Sequence, residues 1–164
     1  MKNSIILFLV TFFAITSCKR NMVNNSENEQ TFITNHRQKD IQMIQESFEK
    51  MTNGFKNNSL SEFYELLDEK AIIIDGNGNE VYDKTNIVAH FKSRLKTKKI
   101  KLTSWKLHEL IVSDSLALSK AEYQITYLEN EEIIGYTDSN WHIVWKKNTI
   151  GDWQILREIF NEKK

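Results

Sequence analysis

The groups in this 164-residue chain best suited to bind a metal or form a covalent bond are one cysteine and four histidines. Cys18 has no second cysteine with which to form an intramolecular disulfide. The histidines, His36, His90, His108 and His142, lack the spacing of metal ligands. The sequence therefore predicts no metal site and indicates no cofactor, so packing and hydrogen bonds alone must hold the fold.

The residues around Cys18 indicate that its thiol is lipidated. A single positive charge, Lys2, precedes an apolar stretch from Ile5 to Ile15, which is far short of the ~20 residues that span a bilayer. The residues Ile15-Thr16-Ser17 then resemble the site at which lipoprotein signals are cleaved. We expect residues 1–17 to be a signal peptide and lipid on Cys18 to anchor the protein to a membrane of the bacterial envelope, on the periplasmic or outer-membrane side. The alternative is an ordinary secretory signal with an incidental cysteine.

Aromatic side chains are concentrated in the C-terminal part of the chain, where they could stack on a flat ligand. They are Trp105, Tyr123, Tyr127, Trp141, Trp145 and Trp153. The same side chains could instead form the core or a dimer contact, because aromatic residues contribute much of the apolar burial in a small sheet. We expect Trp153 to lie in the core and Trp141 to line a pocket.

The charge balance argues against nucleic acid as a partner. The 22 Lys and Arg residues equal the 22 Asp and Glu residues, so the chain lacks the positive field that neutralises phosphates. The basic cluster Lys92, Arg94, Lys96, Lys98, Lys99 and Lys101 is typical of a solvated helix end, although it could also rest on anionic lipids.

The elements that must position these residues begin behind a polar segment. Residues 18–37 show no hydrophobic period and are predicted to be the lipidated cysteine and a flexible linker, with the folded domain at 38–164. Apolar residues then recur at spacings of three and four, which predicts a long amphipathic helix with Ile41, Ile44, Phe48, Met51 and Phe55 on its buried face.

A shorter helix, a strand and a third helix follow. Ser59-Leu60-Ser61-Glu62 has the form of a capping box and predicts a helix that continues through Asp68. The β-branched run Ala71–Ile74 predicts a strand, Asp75–Asn79 has the composition of a turn, and Asp83 can cap the third helix.

Four alternating segments predict an antiparallel meander over residues 100–112, 116–128, 132–147 and 152–161. The alternation directs toward the helices the residues Ala117, Ser119, Ala121, Tyr123, Ile125, Tyr127, Thr137, Ser139, Trp141, Ile143 and Trp145. The pattern leaves the facing of His108 open. The fold class is α+β, with helices first and one curved sheet afterwards.

The order of these elements, together with three local motifs, resembles the nuclear transport factor 2-like superfamily. The motifs are Asp114-Ser115-Leu116-Ala117, Ile143-Val144-Trp145-Lys146-Lys147 and a terminal strand over residues 151–158, which is similar to that of the SnoaL-like and ketosteroid-isomerase-like branch. The resemblance implies a cystatin-like cone in which three N-terminal helices pack on a curved antiparallel sheet, with a pocket at the open end. It also implies a homodimer through the outer face of the sheet, where Leu118, Tyr136 and Val144 are apolar.

Matching the passage before Ala71 to that branch puts Asp75 at the position of a proton-shuttling aspartate. A carboxylate beside an apolar pocket could serve as a general base. The turn sequence explains Asp75 equally well, because Asp before Gly hydrogen-bonds its own backbone. The donors that hold an enolate in the isomerases are replaced by Met51 and Trp141, which disfavours steroid isomerase activity.

The predicted ligand-binding residues are Tyr64, Tyr123, Tyr127, Trp141 and Glu158. Glu158 enters because the resembling proteins often carry an acidic residue there, and a salt bridge or dimer contact is its alternative. The leading functional hypothesis is a membrane-anchored protein that binds a small apolar or aromatic molecule whose identity the sequence leaves open. The alternatives are an isomerase, dehydratase or hydrolase that uses Asp75 as general base, and a non-catalytic homodimeric interaction module.

Overall fold

The protein consists of three helices packed on one six-stranded sheet. The computed structural model describes residues 25–163, so the predicted signal peptide and Cys18 lie outside the described residues. In chain order the elements are α1 (Asn25–Lys56), α2 (Ser61–Leu66), β1 (Leu67–Ile74), β2 (Glu80–Tyr82), α3 (Lys84–Thr97), β3 (Lys99–Val112), β4 (Leu116–Glu129), β5 (Glu132–Lys147) and β6 (Trp153–Glu162). The predicted α+β architecture is confirmed. No helix within residues 25–163 has the length and apolarity needed to span a bilayer.

Helix α1 starts earlier than its apolar pattern predicts. It begins at Asn25 rather than near residue 38, so residues 25–37 of the segment predicted to be a flexible linker are helical in the structure. The segment contains neither Gly nor Pro, and extending an existing helix costs far less than nucleating one. The predicted buried face of α1 is confirmed at Phe48 and Met51, which are fully buried.

The region after α1 also differs in detail from the prediction. Helix α2 has Leu60 at its N-cap with no side-chain hydrogen bond, so the capping box does not form. The helix stops at Leu66 instead of Asp68, and Leu67 already begins strand β1. Pairing of Leu67 with Ile155 in β6 fixes this early strand start, which is a tertiary contact that local sequence does not encode.

Strands β3 to β6 form the predicted meander, and each lies within one residue of its predicted bounds. The turn between β4 and β5 has positive φ at both Asn130 and Glu131, as a two-residue type I′ hairpin requires. An ion pair between Lys99 and Glu131 ties β3 to this turn.

Strand β1 extends the meander by running parallel to β6, with Ile74 opposite Ile159. The sheet order is therefore β2-β1-β6-β5-β4-β3. This pairing brings the turn after β1 beside the end of β6: a Cβ at Gly76 would lie 3.2 Å from Cγ of Glu162. The turn that carries Asp75 is thereby placed at the end of the sheet where the cavity described below opens.

The inner face of the sheet matches the predicted alternation. Ala121, Ile143 and Trp145 are completely buried against the helices, whereas Leu118 and Tyr136 are exposed on the outer face. A β-bulge between Leu107 and Glu109 settles the facing of His108. Its Nε2 lies 3.2 Å from Oε2 of Glu122 on the outer face, so His108 points away from the core.

One end of the cone is closed by paired polar groups. Asp40 of α1 accepts hydrogen bonds from Trp153 Nε1 at 3.1 Å and from Lys147 Nζ at 2.7 Å. Nearby, Trp145 Nε1 donates to Ser119 Oγ at 2.9 Å. We call these five residues the closed end. Its satisfied donors and acceptors fix α1 against β4, β5 and β6.

Candidate functional site

A cavity of about 140 Å³ opens at the other end of the cone, where the C-terminal part of α1 and helix α3 meet the sheet. Its apolar walls come from Phe55, Phe91, Ile100, Leu102, Ile125, Trp141 and Phe160. Its polar lining comes from Asp75, Asn77, Arg94, Tyr123, Tyr127, Thr137, Ser139 and Glu162. We call this region the open end. An apolar interior with a few polar groups is the usual composition of a small-molecule site.

Trp141 is the central aromatic residue of the cavity. Its ring meets Phe48 and Tyr123 edge to face at centroid distances of 5.6 and 5.5 Å, and it stacks on Phe160 at 6.0 Å. Phe55 approaches at 6.1 Å and nearly perpendicular. These contacts leave Trp141 only 2% exposed, so the cavity wall is held rigidly before any ligand enters.

The Trp141 indole is oriented by a buried carboxyl group. Trp141 Nε1 donates to Oε1 of Glu158 at 2.6 Å, while Oε2 of Glu158 has no hydrogen-bond partner. Burial raises the pKa of Glu158 to about 8, and the Trp141 hydrogen bond opposes this only in part. A carboxyl with such a pKa is mostly protonated at neutral pH. Glu158 therefore presents a neutral acid to the indole.

Hydroxyl groups line the sheet side of the cavity. Thr137 Oγ1 lies 3.4 Å from the Tyr127 hydroxyl, and burial raises the pKa of Tyr123 far above its usual value. Ser139 is fully buried, and its Oγ makes no hydrogen bond of normal geometry. It lies close enough to the Tyr123 hydroxyl to oppose that pKa rise. An unsatisfied hydroxyl in the wall of a cavity is a group that a ligand could pair.

Asp75 lines the cavity, but its oxygens are occupied by its own turn. Oδ1 accepts from the backbone N–H groups of Asn77 and Asn79, and Oδ2 accepts from Nδ2 of Asn79, each at 2.9 Å. The side-chain hydrogen bond from Asn79 is the main reason that the pKa of Asp75 is lowered, and the charge of Arg94 contributes. Asp75 is thus an ionised turn residue at the rim.

The positive charge of Arg94 lies at the rim of the cavity. Arg94 of α3 lines the cavity and also two adjoining clefts of about 300 and 350 Å³. Lys98 and Tyr127 line the first of these clefts with Arg94, and His90 lies in the second. Arg94 is therefore common to all three spaces.

Four of the six residues proposed from the sequence for catalysis or ligand binding meet at the cavity: Asp75, Tyr123, Tyr127 and Trp141. Glu158 faces inward but is not among the lining residues, because it pairs with Ile143, deeper along β6 than the Trp141–Phe160 pair. Tyr64 lies elsewhere on α2, packed against Phe63 and under Lys92. Tyr64 and Glu158, which the sequence proposes as ligand-binding residues, therefore do not line this cavity.

Several lining residues are not singled out by the sequence analysis. The sequence predicts Arg94 to be part of a solvated basic cluster. Arg94 is also three residues from Phe91, which places both side chains on one face of α3, and this spacing could have indicated that Arg94 lies at the cavity. Phe160 and Glu162 continue the inward alternation of Glu158 along β6. Within residues 25–163, no group of three or more His, Cys, Asp or Glu side chains is arranged to hold a metal ion.

Comparison with known proteins identifies the fold. No sequence family matches the chain, and neither does any curated protein. Among solved structures, a ketosteroid isomerase-like protein from Erwinia carotovora atroseptica is similar with a TM-score of 0.66 at 11% identity, over 74% of this chain and 95% of that one. A nuclear transport factor 2-like protein from Cytophaga hutchinsonii gives 0.58 at 20% identity, over 77% and 98%. A domain of unknown function with a cystatin-like fold from Nostoc punctiforme gives 0.59 at 19%, over 74% and 75%.

The chain therefore has the nuclear transport factor 2-like, cystatin-like fold that its sequence motifs predict. Identities of this size establish the fold alone, because one fold carries many unrelated functions.

Proposed function

We propose that this protein binds a small apolar or aromatic molecule in the cavity at its open end without transforming it. The observation that supports this most is the composition of the cavity, which combines rigid aromatic walls with an unsatisfied Ser139 hydroxyl. A ligand ring buried against Trp141 and Phe160 gains about 25 cal/mol for each Å² of apolar surface removed from water. Walls that are already packed lose little conformational entropy on binding.

The state of Asp75 argues against the alternative of an enzyme that uses it as general base. A carboxylate whose pKa is lowered is a weaker base than an ordinary aspartate, and three hydrogen bonds from Asn77 and Asn79 occupy its oxygens. Abstraction of a proton from carbon requires the opposite adjustment of the pKa.

The binding proposal is tested by filling the cavity. Thr137→Trp introduces an indole into the wall, whereas Thr126→Trp puts the same side chain on the outer face of the sheet. Naphthalenemethanol should raise the thermal midpoint of the wild type and of Thr126→Trp by an amount that grows with the logarithm of ligand concentration above the Kd, and it should leave Thr137→Trp unchanged. Equal stabilisation of all three proteins would contradict binding in the cavity.

We further propose that lipid on Cys18 anchors the domain. Each buried methylene of such a chain contributes about 0.8 kcal/mol, so several acyl chains make attachment effectively permanent. Helix α1 supports a definite orientation, because its 32 residues extend about 48 Å from Asn25 toward Phe55 at the cavity. The mouth of the cavity then lies at the far end of α1 from the anchor.

Replacement of the thiol tests this anchor. Cys18→Ser should release the protein from the membrane fraction while the purified domain keeps the circular dichroism spectrum of the wild type. Retention of the variant in membranes washed with high salt would refute lipid on Cys18 as the attachment.

A homodimer through the outer face of the sheet is proposed as the state of the domain. Ile111, Leu118 and Val144 lie side by side across β3, β4 and β5, with Ile111 55% and Leu118 39% exposed. An adjacent apolar row of this kind favours burial against a second copy. Leu118→Lys should shift sedimentation toward the monomer, while Ile150→Lys, in the exposed β5–β6 loop, should not. A wild type that sediments as a monomer at tens of micromolar would exclude the dimer.

A further inference from the structure

We propose that the molecule bound in the cavity is a planar aromatic of one or two rings that carries a carboxylate or a similar anionic group, and that Arg94 binds this group. The inference rests on the binding function proposed above and specifies its ligand class. It follows from the size of the cavity, the shape of its walls and the distribution of charge around its rim.

The volume limits the apolar part of the ligand. At about 140 Å³ the cavity is close to the 150 Å³ of an engineered apolar cavity that accommodates benzene. Phe91, Trp141 and Phe160 supply aromatic surfaces, against which a flat ring gains more contact than a flexible aliphatic chain does. One ring therefore fits inside, and a second ring can extend toward the rim.

Arg94 lies beside the spaces into which the remaining part of such a ligand can extend. It lines the cavity and both adjoining clefts, so an anionic group that enters either cleft comes near the guanidinium. A guanidinium has five N–H donors in a rigid fork, which allows it to bind a ligand carboxylate while it keeps its contacts within the protein. Lys98 adds a second positive charge in one cleft.

The carboxylates of the rim are less suited to bind a cationic ligand. The oxygens of Asp75 already accept three hydrogen bonds within its turn. Glu162 lies beside the same turn, next to Gly76, and is exposed to solvent. Asp75 is also close enough to Arg94 for the guanidinium charge to lower the pKa of Asp75, and this attraction helps to keep Arg94 at the rim.

Three probes of one shape and different charge test the assignment by isothermal titration calorimetry at neutral pH. They are naphthoate, naphthalenemethanol and naphthylmethylammonium. Naphthoate should bind the wild type about tenfold more tightly than the neutral alcohol, as a partly exposed charge-assisted hydrogen bond provides. Arg94→Gln should abolish this preference by weakening the binding of naphthoate about tenfold.

Lys92→Gln is the matched control, because Lys92 lies on the same helix over the ring of Tyr64 and does not line the cavity. This variant should keep the tenfold preference. If the alcohol binds as tightly as naphthoate, or the ammonium probe binds most tightly, the ligand class is wrong although the binding function stands. If none of the probes binds, the proposed function fails together with this inference.

Discussion

The two ends of the cone differ in how completely their buried polar groups are paired and how completely their volume is filled. At the closed end, Asp40 accepts hydrogen bonds from both Lys147 and Trp153, and the indole of Trp145 finds a partner in Ser119. At the open end, Ser139 Oγ is buried beside a cavity of about 140 Å³ and makes no hydrogen bond of normal geometry. Complete pairing stabilises a fold, whereas unused volume and unpaired groups lower stability and leave something for a ligand to supply. On this basis we propose that the closed end contributes stability and that the open end binds the ligand.

Truncation of one phenylalanine in the fully packed core and of one at the open end should show the largest contrast. Phe48 is fully buried and contacts Trp105, Trp141 and Trp145, so Phe48→Ala should lower the free energy of unfolding by about 3–5 kcal/mol. Phe160 is only partly buried at the existing cavity, and Phe160→Ala should cost about half as much. Urea denaturation measures both values. Equal losses would show that the open end is packed as tightly as the rest of the core.

Glu158 should make the stability of the protein depend on pH. Its folded pKa of about 8 lies above the ordinary value of 4.5, so the ionised form opposes folding. The contribution of Glu158 is most favourable below pH 4.5 and is lost as the pH rises toward 8. The expected loss between pH 5 and 7.5 is about 3 kcal/mol at 1.36 kcal/mol per unit.

Replacement with glutamine isolates this effect. Glu158→Gln can still accept from Trp141 but cannot ionise, so its unfolding free energy should change less between pH 5 and 7.5 than that of the wild type. Glu162→Gln, at the exposed rim, should retain the wild-type slope. Parallel pH profiles for the wild type and Glu158→Gln would show that Glu158 is not held protonated.

Asp75 should give the smallest effect, with the opposite sign in pH. Because its pKa is lowered, the ionised form stabilises the fold above the unfolded pKa, and that stability is lost as the pH falls through the folded pKa. Asp75→Asn should cost up to about 1 kcal/mol, less if the amide oxygen keeps the bonds from Asn77 and Asn79. A carboxyl resonance of Asp75 that titrates above ~3.9 in an NMR titration would instead support a catalytic base.

The alternation of β4 and β5 was enough to predict the inner faces of these two strands, because their side chains follow the two-residue period of a half-buried sheet. Strand β1 was predicted only from Ala71, since Asp68, Glu69 and Lys70 have low strand propensity. The strand nevertheless begins at Leu67, which pairs with Ile155 of β6 ahead of an irregularity that extends to Ile72, and Lys146 Nζ lies 2.9 Å from Oδ2 of Asp68.

The part of the candidate site that lies on the sheet could also be predicted from strand alternation. Tyr123, Tyr127 and Trp141 follow from strand alternation, which identifies the inner face of the sheet. Alternation does not give depth along a strand, so it could not show that Glu158 lies behind Trp141. On helix α2, the sequence pattern did not show that the buried residue is Phe63 and not Tyr64.

An NMR titration with naphthalenemethanol tests most directly whether the ligand binds at the open end. The signals to follow are the indole N–H resonances of the tryptophans. Trp141 lines the cavity, whereas Trp145 and Trp153 belong to the closed end. If the ligand binds at the open end, the Trp141 resonance should shift with saturable dependence on ligand concentration while those of Trp145 and Trp153 stay in place. A titration in which Trp141 does not move, or in which Trp145 or Trp153 moves instead, would contradict binding at the open end.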